Sequence, residues 1–175
     1  MRRIRLIVSY DGTNYCGWQI QENAVTVEGT LTDALRKWLK EDIEIIGASR
    51  TDSGVHAYGN IAVFDTNSRI PSEKFAIGLN HYLPDDIRVQ KSDEVESDYH
   101  PRYRNTEKMY EYTILNTKIN LPIYSRYSYH VYHPLDFEVM KEAAALLVGE
   151  HDFSAFCSAG SQVKSKVRTI YEVSL

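Results

Sequence analysis

Cysteine is scarce in this 175-residue sequence: Cys16 and Cys157 are the only two, widely separated, and they fit reduced thiols better than a disulfide framework. Long hydrophobic runs are missing as well, since no stretch approaches the ~18 apolar residues of a membrane span. The Met1-Arg2-Arg3 start is basic, but the apolar stretch behind it is short and broken by Arg5, which is not a signal-peptide pattern. A cytoplasmic protein with no membrane partner is therefore expected. Positive charge is not in excess: 20 Lys and Arg stand against 24 Asp and Glu, a net charge of −4. That balance excludes a global attraction to nucleic acid, which Lys and Arg would have to supply. A local basic cleft stays open, with clusters at Arg2, Arg3 and Arg5, at Arg102, Arg104 and Lys108, and at Lys164, Lys166 and Arg168. Each cluster alone reads first as a solvated surface patch. Neither an HxxxH nor a CxxC spacing occurs, so the usual metal sites are absent from the pattern. What remains is ordinary globular composition, 43% hydrophobic and 25% charged, in a chain long enough for one large domain or two small ones.

The most informative stretch is GASRTDSGVHAYG at 47–59. Strand-like runs flank it at Asp42–Ile46 and Asn60–Asp65. Between them lie Arg50, Asp52 and His56 with three glycines. Two readings compete. Ionisable groups in a Gly-rich connection between apolar strands are a common way to mount chemistry on a rigid scaffold. Equally, Asp-Ser-Gly is turn chemistry, with Asp52 hydrogen-bonding its own backbone.

Elsewhere, Ile4–Tyr10 alternates as a strand and Asp11-Gly12 breaks it. Trp18 is either a loop anchor or an exposed stacking surface. A helix is expected over Val27–Lys40, capped by Thr26, with Val27, Leu31, Ala34, Leu35, Trp38 and Leu39 on its apolar face. A second helix is expected near Ser72–Tyr82, weakened by Gly78. Ile87–Gln90 reads as a strand and the acidic Asp93–Asp98 as a loop. Lys108–Asn116 is the clearest alternating strand, and Tyr124–Tyr132 alternates too. Asp136 is expected to cap a helix running to Val148, with Val139, Met140, Ala143, Ala144 and Leu147 facing the core and Gly149 as C-cap. His151–Phe156 reads as an aromatic loop and Val167–Leu175 as a strand.

This order predicts an α+β fold of two tandem RRM-like or ferredoxin-like halves, each an antiparallel sheet with helices on one face. The expected halves are 1–105, carrying the Asp52 loop, and 106–175, in which a duplication would require a further strand and helix, so the second half is expected to be incomplete. The 13 tyrosines suit RNA stacking on a sheet and suit β propensity equally well.

Eight segments carry a family resemblance: YDGTNYCGWQ at 10–19, TVEG at 26–29, GASRTDSGVHAYG at 47–59, LNHYLPDDI at 79–87, YHPRY at 99–103, KMYEY at 108–112, GEHDFSAF at 149–156 and VRTI at 167–170. In this order and spacing the chain resembles the TruA family of tRNA pseudouridine synthases, without that family's final C-terminal segment. Ser49 stands where the family usually has glycine, which a tight loop tolerates if φ is negative there. The resemblance implies isomerisation of uridine to pseudouridine in the tRNA anticodon stem-loop, at positions 38, 39 and 40. It implies no cofactor and no metal, tRNA as partner, and a homodimer. It assigns Asp52 as the catalytic carboxylate and Tyr110 and Arg50 as substrate contacts. A guanidinium two residues from Asp52 would keep it ionised and oriented. Tyr110 would wall a pocket for the flipped-out base. Arg102, Lys164 and Arg168 are candidate RNA contacts, and His56 is expected to be structural. Three rivals stay open: a non-catalytic RNA-binding module, a non-catalytic fragment of such a synthase, and a metal-dependent hydrolase built on Asp52, His56, Asp65 and a remote carboxylate.

Overall fold

The computed structural model describes residues 1–103, 107–157 and 165–175. The chain forms two compact units, Met1–Met109 and Tyr110–Leu175. It is an α+β protein whose principal sheet is antiparallel throughout.

In the first unit the order is β1 (Arg2–Tyr10), α1 (Val27–Leu39), β2 (Ile45–Gly47), β3 (Ala57–Thr66), α2 (Lys74–Asn80) and β4 (Ile87–Val95). The sheet order is β2-β3-β1-β4, so β1 and β3 are its centre. Strict alternation along β1 buries Ile4, Leu6, Val8 and Tyr10 on one face. There they meet Val27, Leu31, Ala34 and Leu35 of α1 and Phe75, Ala76 and Leu79 of α2 in one core. Thr26 caps α1 as expected, accepting the Gly29 N–H through its hydroxyl oxygen at 3.2 Å, and Lys40 ends the helix in a left-handed conformation. Trp38 lies edge-on to Phe75 and stacks on Tyr82. Gly78 is the space it occupies: a Cβ there would sit 2.3 Å from the indole.

Of the acidic stretch Asp93–Asp98 expected as a loop, only Glu96–Asp98 is one; Asp93, Glu94 and Val95 are instead the end of β4. The reason lies across the ladder. Arg5 pairs in register with Asp93, and its guanidinium bonds both carboxylate oxygens, at 3.1 and 2.6 Å. Arg2 meets Glu94 at 2.6 Å, and Arg3 meets its register partner Asp65 at 2.8 and 2.7 Å. The N-terminal arginines are thus neutralised by carboxylates on neighbouring strands, and the first candidate basic cluster is no open phosphate site.

The hydrogen bonds from Arg3 hold the Asp65 carboxyl below the usual carboxylate range. A carboxylate depressed in the folded state stabilises the fold above its unfolded pKa and loses that contribution as pH falls through the folded value. Denaturant midpoints followed from neutral pH to below about pH 4 should therefore fall less steeply in Asp65→Asn than in the parent. The difference should stay under about 1 kcal/mol, because the carboxylate is partly solvated.

The second unit departs further from the sequence-based expectation. It holds β5 (Ile114–Asn116) and β6 (Tyr129–Val131), paired in parallel, then α3 (Phe137–Ala145), then β7 (Gly149–Asp152) and β8 (Val167–Ile170), paired antiparallel. The long strands expected at Lys108–Asn116 and Tyr124–Tyr132 are each only three paired residues. Alternation describes a half-buried surface, but a strand exists only where a ladder partner does. Asp136 does cap α3, accepting from Val139 N–H at 3.1 Å. Its expected core face is only partly covered among the described residues: Met140 and Ala144 are half-buried, but no residue of α3 is fully buried and Val139 is 58% exposed. The expected C-cap Gly149 lies at the start of β7, and the helix ends at Ala145 with Leu146 as its C-cap. No helix of the described residues is long and apolar enough to cross a membrane.

Candidate active site

Residues 48–56 connect β2 to β3, and the loop is fastened along its length. Asn60, buried in β3, clamps Ser49 at two points: its Oδ1 accepts the Ser49 N–H at 3.2 Å and its amide donates to Ser49 O at 3.1 Å. Ser49 does not have a positive φ, so the expected tolerance of serine at this position holds. Thr51 is tied through its carbonyl to Trp18 N–H at 3.0 Å and through its hydroxyl to Tyr10 Oη at 2.8 Å. Burial of Tyr10 pushes its phenol pKa up, partly offset by bonds to Thr51 and Asn60. Trp18 is the buried anchor of the two alternatives, and its own carbonyl caps the Glu28 N–H at the start of α1.

The tip of the loop is a turn, with Val55 N–H donating to Asp52 O at 3.2 Å and Gly54 at φ +78° in its third position. Positive φ there is the type II signature that glycine satisfies. The turn reading and the site reading are therefore compatible. Because the turn closes main chain to main chain, the Asp52 carboxylate is not consumed by it. Among the described residues that carboxylate carries no hydrogen bond and no ion pair.

Two further contacts join the tip to the segment after β1. Gly54 N–H and Ser53 Oγ both donate to Tyr15 O, at 3.2 and 3.3 Å. Tyr15 in turn donates its phenol to Asp86 at 2.6 Å; burial, with Asp86 second, pushes its pKa well up. His56 Nδ1 lies 3.1 Å from Gly12 N and 3.0 Å from Asp11 Oδ1. One nitrogen cannot serve both at once: unprotonated it accepts from Gly12, protonated it donates to Asp11. Either state ties the loop to the end of β1.

The result is an open depression of about 360 Å³ lined by Cys16, Gln19, Gln21, Arg50, Thr51, Asp52 and Ser53. Its volume is in the range of small-ligand clefts. Arg50 and Asp52 share it, both exposed, but among the described residues no ion pair joins them. Arg102 belongs to the same unit, where its Nε donates to Gly47 O at 2.8 Å, at the strand end from which the loop departs. Tyr110 and Arg168 belong to the second unit. Tyr110 is 77% exposed and outside any strand, and Arg168 lies in β8, bonded to its local backbone at Ser165 and Val167. Lys164 lies outside the described residues. Cys16, Gln19 and Gln21 were missed as lining residues from sequence, since it is long-range bonds, Trp18 N–H to Thr51 O and those of Ser53 and Gly54 to Tyr15 O, that bring that segment to the loop. Among the described residues, no three His, Cys, Asp or Glu side chains converge as a metal would require.

The sequence pattern of one protein family, described as tRNA pseudouridine synthase, matches residues 6–104 and 143–175. The chain is 49% identical over 175 residues to a protein named tRNA pseudouridine synthase A from a Thermoanaerobacter species, covering 100% of this chain and 72% of that one. The protein of the same name from Acetivibrio thermocellus is 51% identical with the same coverage. That from Ruminiclostridium cellulolyticum is 50% identical over 171 residues, covering 98% of this chain and 70% of its own length.

Proposed function

The chain belongs to the tRNA pseudouridine synthase family, and from that premise we propose that it isomerises uridine to pseudouridine in tRNA, with Asp52 as the carboxylate that acts on the sugar. The observation that supports Asp52 above other acids is its state: an uncommitted carboxylate at the tip of a loop whose backbone is otherwise fastened, in a depression open to substrate. The chemistry breaks the bond from ribose C1′ to uracil N1, turns the base, and forms a bond from C1′ to C5, after which C5 loses its proton. Positive charge develops on the sugar as the first bond breaks, and a carboxylate either attacks C1′ or removes a sugar proton to give a glycal. No electrons are gained or lost overall.

Around that step, Arg50 contacts the substrate beside Asp52, and Tyr110 walls the pocket for a base that has left the stack. Arg102, Lys164 and Arg168 contact the RNA backbone. The target uridines are those at positions 38, 39 and 40 of the anticodon stem-loop, the protein acts in the cytoplasm, and it works as a homodimer. The two halves, 1–105 and 106–175, are tandem RRM-like units. For the first, the order βαββαβ with strand sequence β2-β3-β1-β4 supports the assignment.

Incubation with unmodified tRNA transcript should convert uridine to pseudouridine at unchanged nucleoside mass, as read by chromatography of the digested RNA. Conversion should be the same with and without a chelator. Loss of activity on chelation, restored by metal, would favour the hydrolase-like metal reading instead.

A further inference from the structure

Three of the polar side chains lining the depression are already committed. Thr51 shares its hydroxyl with Tyr10, Ser53 donates to Tyr15 O, and Gln21 donates its amide to Cys16 O at 2.8 Å. Arg50, Asp52 and Gln19 are the charged or amide side chains there that make no hydrogen bond among the described residues. They are a cation, an anion and one neutral amide.

A uridine presents three kinds of chemistry to such a site. Its phosphate asks for a cation, which Arg50 supplies. Its sugar, in the reaction proposed above, asks for a carboxylate. Its uracil edge offers two carbonyl oxygens flanking one N–H, so recognition needs an acceptor and a donor side by side. A guanidinium only donates and a carboxylate only accepts, whereas a primary amide does both. We propose that Gln19 reads the uracil ring, its Oε1 accepting from N3–H while its Nε2 donates to an adjacent carbonyl oxygen. The inference rests on Asp52 marking the reaction site.

The backbone suits that role, because Gln19 is held between two fixed neighbours. Trp18 is fully buried and bonded on both sides, to Thr51 O and to Glu28 N. Ile20 N–H donates to the Glu28 carboxylate at 3.1 Å. The side chain between them is exposed and lines the depression, so its position is set without its amide being consumed.

The test compares anticodon stem-loops carrying uridine or N3-methyluridine at the target position, which cannot donate from N3. Each is offered to the parent chain and to Gln19→Ala, whose smaller side chain leaves room for the methyl group. Discrimination is read twice: as single-turnover efficiency, and as affinity in the Asp52→Asn background, so that it is scored whatever the turnover. The parent should prefer uridine by about tenfold or more, and the preference should shrink to under about threefold in Gln19→Ala. Gln19→Glu, which still accepts from N3–H but cannot donate, should keep the preference while binding both RNAs more weakly. Equal discrimination in parent and Gln19→Ala, or none in the parent, overturns the assignment. Turnover that survives Asp52→Asn is a different failure, that of the site itself.

Discussion

Gly12→Ala is expected to destabilise the protein by about 3 kcal/mol, the upper part of the usual range for overpacking, and to take the activity with it. A Cβ at residue 12 would lie 2.1 Å from Val55 O and 2.6 Å from Val55 C. Both are backbone atoms, so no side chain can swing away to make room. Val55 closes the turn that begins at Asp52, and the same Gly12 N–H lies at His56 Nδ1. Whatever displacement relieves the clash therefore moves the tip of the loop. Gly54→Ala is the informative comparison. Its φ of +78° is strained for alanine, but nothing lies within 4 Å of the added carbon. That variant should lose only about 1–2 kcal/mol and retain measurable turnover. Denaturant midpoints for the pair check this; a Gly12→Ala shift no larger than that of Gly54→Ala would mean that the two segments are not locked together.

What was legible in the sequence follows from where the determining partner lies. The apolar face of α1 and its Thr26 cap are local, and the structure has both within a residue of expectation. Alternation along β1 has a single meaning because both its neighbours are present. Asp93 and Glu94 misled because their acidity describes a loop until Arg5 and Arg2 are placed opposite them, some ninety residues away. Lys108–Asn116 misled in the other direction: its pattern is that of a strand, but Tyr110 and Tyr112 have no ladder partner among the described residues and are exposed. Gly78 looked like a helix defect and is the room that Trp38 fills. At the site, the Arg50–Asp52–His56 loop was legible as a motif. Gln19 was not, because its place beside Asp52 depends on the hydrogen bond from Trp18 to Thr51, a contact that no local pattern encodes.

The second large effect belongs to Asp52. Asp52→Asn keeps the size of the side chain and disturbs no hydrogen bond among the described residues, so the fold should be unchanged, with a shift in denaturant midpoint worth less than about 0.5 kcal/mol. Turnover should fall by about a thousandfold or more, as it does when a group acting covalently or as the essential base is removed. RNA affinity should change by less than about threefold. Loss of a carboxylate whose role is electrostatic steering or packing would give a different signature, moving affinity or stability together with rate. The most direct measurement is release of tritium from C5 of uridine-labelled, unmodified tRNA by the parent chain and by Asp52→Asn at matched RNA occupancy. Release by the parent and none above background by the variant is the predicted result; equal release from both would contradict the assignment of Asp52 as the carboxylate that drives the isomerisation.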